Sequence, residues 1–252
     1  MKSKKFLVIA LAVIFVFASV LSFVLIFSVK KVNVVYSVDA QTDVEPLQDK
    51  LDKFIGKNLI LVNLEDVQEV CNQFPEYKVE TIKKSFPNVI DVKIVERRVV
   101  YQVVVDQTVY GLDQTGFVVN STPVSDLNDD KQLIMVDFLG VDILSANVGT
   151  SLVTSDNILF NKVMEMASSV RLTDCINKIT VLKNLDFNDA VFYTYSGVTI
   201  TVEDVLNKGV DKIIKGFESY DNAGDYEKSF DHIKVYYDTL NNQIVSIWTT
   251  NA

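Results

Sequence analysis

The stretch KKSFPNVIDVKIVER, residues 83–97, decides the reading of the N-terminal part of the chain. Pro87 and Asn88 are turn residues: the proline ring presets φ, and the asparagine side chain can satisfy nearby backbone. Before the turn, residues 77–86 alternate, with Tyr77, Val79 and Thr81 opposed to Lys78, Glu80 and Ile82. After it, residues 89–98 place Val92, Ile94 and Glu96 on one side. A period of two marks a strand with one buried face, so the stretch reads as strand, turn, strand.

Upstream, the period changes to that of a helix. Val67, Val70 and Cys71 form the apolar stripe of a helix over residues 64–73, which Pro75 ends because proline has no N–H to continue it. A short extended link over residues 58–62 precedes it. Leu47, Leu51, Phe54 and Ile55 recur at helical spacing, between a cap at Asp43 with Pro46 in the first turn and a stop at Gly56. Residues 32–38 (VNVVYSV) alternate and are β-branched, as a strand requires. The order strand, helix, helix, strand, strand predicts a two-layer unit, with two helices on one face of a small sheet.

Further upstream, residues 6–29 hold 24 residues without a charge, and only Ser19, Ser22 and Ser28 are hydroxylic. At about 1.5 Å per residue such a helix reaches roughly 36 Å, enough for a hydrocarbon core of about 30 Å. A cleaved signal peptide is the competing reading, but its apolar region is normally only about 7 to 15 residues long. Lys2, Lys4 and Lys5 against Lys30 and Lys31 favour an N-terminus inside and the remainder outside the cytoplasmic membrane.

Downstream, residues 99–105, 109–119, 133–138, 176–182, 190–195 and 198–202 read as strands, with Ser196 and Gly197 as a tight turn. Residues 120–131 (NSTPVSDLNDDK) read as a polar loop. Thr154 or Ser155 is expected to cap a helix running to about Arg171, with Leu159, Val163, Met166 and Val170 inward. Leu206, Val210, Ile213 and Phe217 predict a helix over residues 203–220, and residues 233–237 and 243–248 form a hairpin over 240–242. The fold class is therefore α+β: a transmembrane helix, a strand-helix-helix-strand-strand domain, and a mixed β domain with flanking helices.

Composition narrows the chemistry. The 252 residues carry a formal charge of −9, but residues 1–31 contain five lysines and no acid, so the rest stands at −14. Phosphate recognition needs clustered Lys and Arg, so nucleic acid is not an expected partner. Val supplies 41 residues and Gly with Pro only 13, which favours β-rich globular structure over disorder. His232 is the single histidine. It stands beside Asp231 at a strand entry rather than at a nucleophile elbow, and reads as a solvated edge residue. One histidine and no closely spaced Cys pair argue against a tetrahedral zinc site. Asp126, Asp129 and Asp130 lack the Gly turn and distal Glu of a calcium loop. Cys71 and Cys175 read as small buried hydrophobes rather than a disulfide. No catalytic residue, cofactor, metal or small-molecule substrate is expected.

The layout and its local motifs resemble the bacterial division protein family FtsQ, called DivIB in Gram-positive bacteria. Gly56-Lys57-Asn58-Leu59 resembles the family's G-x-N-L; Phe74-Pro75 stands at its apolar-Pro strand entry. Residues 83–88 (KKSFPN) are similar to its basic-x-aromatic-Pro-Asn turn, and residues 92–97 (VKIVER) to its V-x-I-x-E-R strand. Residues 112–117 (LDQTGF) resemble the hairpin opening the β domain, and residues 233–238 with 244–248 the last two strands. Val99 stands where the family usually has proline, and residues 133–140 lack the proline of the corresponding strand.

The resemblance implies a cytoplasmic tail over 1–5, a transmembrane helix over 6–29, a POTRA domain over 30–102 and a C-terminal β domain over 103–252. It implies a single-pass cell-membrane protein at the division septum, with the bulk of the chain extracytoplasmic. Its role would be a non-catalytic divisome scaffold that binds DivIC (FtsB) and FtsL and through them supports the septal peptidoglycan synthase. A membrane-anchored cell-wall hydrolase is the alternative. It would need a concave site with two carboxyl groups about 5 to 9.5 Å apart.

The candidate partner site is the C-terminal hairpin: Lys234, Tyr236, Tyr237, Ile244, Val245, Ser246, Ile247 and Trp248. Pairing back from the Asn241-Asn242 turn puts Ile233, Val235 and Tyr237 with Trp248, Ser246 and Ile244, and Tyr236 with Val245 and Ile247 on the other face. A terminal strand with one neighbour exposes N–H and C=O groups that a partner strand can meet.

Overall fold

The computed structural model describes residues 2–36, 43–126, 133–170 and 175–250, with side chains described throughout except at positions 2–10, 20 and 228. The chain forms two compact units, Met1–Arg97 and Arg98–Ala252.

The first unit opens with α1 (Lys2–Ile26), 25 residues long. Among the described residues no helix is long and apolar enough to cross a membrane. Next come β1 (Lys31–Tyr36), α2 (Glu45–Leu51) running into a 3-10 turn, α3 (Leu64–Cys71), β2 (Tyr77–Ser85) and β3 (Val89–Glu96). The strand order is β1-β3-β2, with β1 parallel and β2 antiparallel to the central strand. Ser37 and Val38 of the expected first strand lie outside the described residues. Asp43 Oδ1 accepts the Glu45 N–H at 3.0 Å, and Asn63 Oδ1 caps α3 through the Glu65 N–H at 3.1 Å. Gly56 takes φ +85°, the left-handed value at which a glycine carries no Cβ penalty. Leu47, Leu51, Phe54, Val67 and Cys71 pack on Val32, Ile90, Val92 and Ile94 in one buried cluster.

Two expectations are corrected here. The link over residues 58–62 is a turn, because the Asn58 carbonyl takes the Leu61 and Val62 N–H groups and its side chain takes that of Ile60, each at 3.0 Å. In β2 the alternation breaks: the register shifts between Val79 and Thr81, so Val79 faces Ile94 and Ile82 faces Val92. One extra residue reverses the phase of everything after it. Ile82 therefore joins the core with Val79, and Thr81 is exposed.

The second unit contains β4 (Tyr101–Val105), β5 (Thr108–Leu112), β6 (Val118–Pro123), β7 (Ile134–Leu139), β8 (Ile143–Ser145), β9 (Val153–Thr154) and α4 (Asn157–Ser169). It continues with β10 (Ile176–Lys183), β11 (Asn188–Thr194), β12 (Thr199–Val202), α5 (Gly209–Asp221), β13 (His232–Asp238) and β14 (Gln243–Thr249). Among the described residues nine strands form one sheet in the order β14-β13-β12-β11-β10-β7-β4-β5-β6, and β8 pairs with β9 apart from it. The pairs β4–β7, β7–β10 and β12–β13 are parallel and the rest antiparallel, which makes the sheet mixed. Ile179, Phe192, Ile200 and Ile233 lie in register across four strands. They pack in one core with Leu159, Phe160 and Val163 of α4 and Ile213 of α5.

Residues 120–123, expected in a loop, continue β6 as an edge strand against β5. Pro123 is tolerated there because an edge residue need not donate to a second neighbour. Asp129 and Asp130 lie outside the described residues, as does Arg171. The cap of α4 is Asp156, whose carboxylate accepts the Leu159 N–H at 3.0 Å, rather than Thr154 or Ser155. The expected helix over 203–220 starts only at Gly209. Asp204 and Lys208 sit at φ +45° and +54°, so residues 203–208 cannot continue a right-handed helix.

Candidate partner-binding edge

Among the described residues β14 is the last strand of the sheet, paired on one side only, with β13. The register pairs Ile233 with Trp248, Val235 with Ser246 and Tyr237 with Ile244 on one face, and Lys234 with Ile247 and Tyr236 with Val245 on the other. The eight candidate residues therefore divide into two sets with different surroundings.

The first set lies on the helix side. Ile233 and Val235 are fully buried, and Trp248 and Ile244 pack against the same core. The Trp248 indole donates to Ser219 Oγ on α5 at 3.1 Å. Tyr237 Oη bonds the Asn242 side chain, and Lys208 Nζ lies 4.0 Å from the Tyr237 ring centroid. The hairpin turn is closed by Asp238, whose carboxylate accepts the Leu240 and Asn241 N–H groups and the Asn241 amide. Those bonds, the Asn241 side chain foremost, hold the Asp238 carboxyl below its ordinary range.

The second set faces away from the helices. Ile247 is 45% exposed, Tyr236 and Val245 are half-buried, and Lys234 pairs with Glu203 at 2.6 Å. This face offers a mixed apolar and charged strip beside the free backbone edge of β14. An added strand could take its register from that edge and its side-chain contacts from that strip.

Behind the hairpin lies a buried cation that sequence reading passed over. Lys212 is 1% exposed, and its Nζ donates to the Glu203 and Asp204 carbonyls at 2.7 and 3.0 Å. Burial lowers its pKa, because desolvation disfavours the charged form. Asp189 accepts the Asp204 N–H at 2.8 Å, and burial raises its pKa. In the sequence Lys212 falls at helical spacing from Gly209 and Gly216, and these three with Ile213 form the buried face of α5.

Chemistry elsewhere is sparse among the described residues. His232 Nδ1 lies 3.1 Å from Thr199 Oγ1 on the neighbouring strand. Cys71 and Cys175 are both free thiols, and burial pushes the Cys71 thiol up to about 11. No group of three His, Cys, Asp or Glu that could hold a metal occurs among the described residues. A shallow cleft of about 460 Å³ is lined in part by Val104, Asp106, Asp137, Phe138 and Asp142, and Asp137 is engaged by Lys178 at 2.5 Å.

Residues 27–97 match the family model of the POTRA domain, FtsQ-type. Over that span the family resemblance is borne out, and the first unit contains an FtsQ-type POTRA domain. Among solved structures the chain is similar to the major extracytoplasmic domain of the trans isomer of the bacterial cell division protein DivIB from Geobacillus stearothermophilus. That match has 10% identity and a TM-score of 0.28, and covers 51% of this chain and 98% of that one. No curated protein matches the chain.

Proposed function

We propose that this chain, which carries an FtsQ-type POTRA domain over residues 27–97, is an FtsQ/DivIB-type scaffold of the bacterial division machinery. The domain match is the observation that carries the reading. In this proposal α1 spans the cytoplasmic membrane with the N-terminus inside, and the POTRA domain and the β domain work outside, at the septum. In this reading the POTRA domain runs over residues 30–102 and the β domain over residues 103–252. The α1 reading is supported by the sequence, in which residues 6–29 carry no charge. It is also supported by side chains on every side of the helix, such as Phe15, Val16 and Phe17 at 74, 60 and 70% exposure, which need an apolar surrounding.

The scaffold acts by holding partners rather than by chemistry. The β13–β14 hairpin is proposed to receive a strand or helix of the small single-pass proteins DivIC (FtsB) and FtsL, so that the assembly supports septal peptidoglycan synthesis. Lys234, Tyr236, Val245 and Ile247 would meet the partner directly, while Tyr237, Ile244, Ser246 and Trp248 hold the strand in place. An anchored cell-wall hydrolase would need paired carboxyl groups in a cleft, and the cleft lined by Asp106, Asp137 and Asp142 is where such activity would be sought.

The test is binding of a DivIC ectodomain to the full chain and to a chain ending at Asn242, with circular dichroism recorded on both. Loss of binding with the spectrum retained supports the site, and undiminished binding by the shortened chain overturns it. Release of soluble fragments from purified peptidoglycan by the full chain would overturn the scaffold reading itself.

A further inference from the structure

Three separate segments of the first unit converge where α1 ends. The Leu59 N–H donates to the Phe27 carbonyl at 2.7 Å, the Val29 N–H to that of Lys57 and the Gly56 N–H to that of Val29, both at 2.8 Å. The Lys30 N–H reaches the Asn88 carbonyl at 2.8 Å, Lys84 Nζ donates to the Ile60 carbonyl at 2.9 Å, and the Phe86 ring stands edge-on to Phe27 with centroids 6.1 Å apart. Residues 26–31, 53–61 and 83–88 therefore form one continuous surface.

Two properties of that surface stand out. It exposes large apolar side chains at consecutive loop tips: Leu61 at 82%, Phe86 at 64%, Ile55 at 45% and Ile60 at 42%. Its three segments also hold six lysines (Lys30, Lys31, Lys53, Lys57, Lys83 and Lys84) and no acid, although residues 1–97 contain 12 Asp and Glu. The ammonium nitrogens of Lys53 and Lys57 lie 5.2 and 4.7 Å from the Phe54 ring centroid, a cation–π arrangement that gathers two charges at the tip.

We propose that this tip is a lipid-contact surface: Leu61, Phe86 and Ile60 enter the headgroup layer, and the six lysines meet anionic phospholipid headgroups. The inference rests on the reading of α1 as the membrane anchor, since the tip is continuous with the helix end. An acyl boundary accepts exposed Leu and Phe, and an anionic surface attracts lysines that lie within a Debye length of it. The contact would set the tilt of the POTRA domain on the membrane.

The full chain, with Trp248→Phe as background, can be placed in nanodiscs carrying brominated acyl chains, with one tryptophan introduced at a time. Leu61→Trp and Phe86→Trp are expected to be quenched, about twofold or more strongly when about one third of the lipid is phosphatidylglycerol than in phosphatidylcholine alone. Tyr36→Trp, at the far end of β1, about 17 Å along the strand, is expected to stay unquenched. Phe15→Trp reports separately on α1. Quenching at Phe15→Trp with none at Leu61→Trp and Phe86→Trp overturns the contact and leaves the anchor. Quenching at Leu61→Trp without Phe15→Trp overturns the anchor and supports the contact. Equal quenching in both lipids, or quenching at Tyr36→Trp to the same degree, also overturns the contact.

Discussion

The indole nitrogen of Trp248 donates to the hydroxyl of Ser219 at 3.1 Å, which ties the terminal strand to the helix beneath it. Trp248 is the single tryptophan of the chain, so its emission reports this contact directly. Ser219→Ala is expected to shift the emission maximum and to cost about 1 kcal/mol, the net worth of one hydrogen bond. Fluorescence combined with urea unfolding checks both.

The two faces of the hairpin should respond differently to substitution. Ile247→Asp alters an exposed position and is expected to change stability by no more than about 0.5 kcal/mol while weakening partner binding at least tenfold. Trp248→Ala removes packing from the core and is expected to cost about 2 to 4 kcal/mol. Isothermal titration against the DivIC ectodomain, beside denaturant unfolding, separates the two. Unchanged binding by Ile247→Asp would remove the outward face from the site.

Lys212 is expected to behave as a buried strut. Lys212→Ala loses the packed stem and removes the Nζ donor from the Glu203 and Asp204 carbonyls, at a cost of about 2 to 4 kcal/mol. Lys212→Met keeps the stem and should lose about half as much. Equal losses would show that the two hydrogen bonds carry the effect alone.

Asp91 predicts a pH dependence in the first unit. The Ser85 hydroxyl and then the Asn33 amide, at 3.1 Å, hold its carboxyl below the ordinary value. A depressed carboxyl contributes stability that is complete above its unfolded pKa of about 3.9 and is lost as pH falls through the folded value. The urea midpoint of the wild type should therefore exceed that of Asp91→Asn at pH 6, and the gap should narrow below about pH 4. A gap that is constant with pH would assign the loss to packing.

The sequence by itself determined the features that depend on neighbours along the chain. The turn at Pro87 and Asn88, the stop at Gly56, the stripe of Val67, Val70 and Cys71, and the pairing counted back from Asn241 and Asn242 are set by local sterics and by periods of 2 and 3.6. The family motifs lie in these same turns and strands, and residues 27–97 carry them most densely.

Only the tertiary structure decided where a local pattern gives way to a distant partner. The bulge before Thr81 moves Ile82 inward because β3 offers Val92 there, which no count along β2 reveals. Residues 203–208 leave the helical pattern because Asp189, on another strand, and Lys212, eight and nine residues further on, take up the backbone groups that a helix would have used. The candidate site shows the same division: alternation assigns residues of the hairpin to two faces, but which face the helices cover is set by α5 packing on Ile233, Val235 and Trp248. Burial is a property of the assembled layers, and the sequence specifies those layers only through contacts that form when the chain is folded.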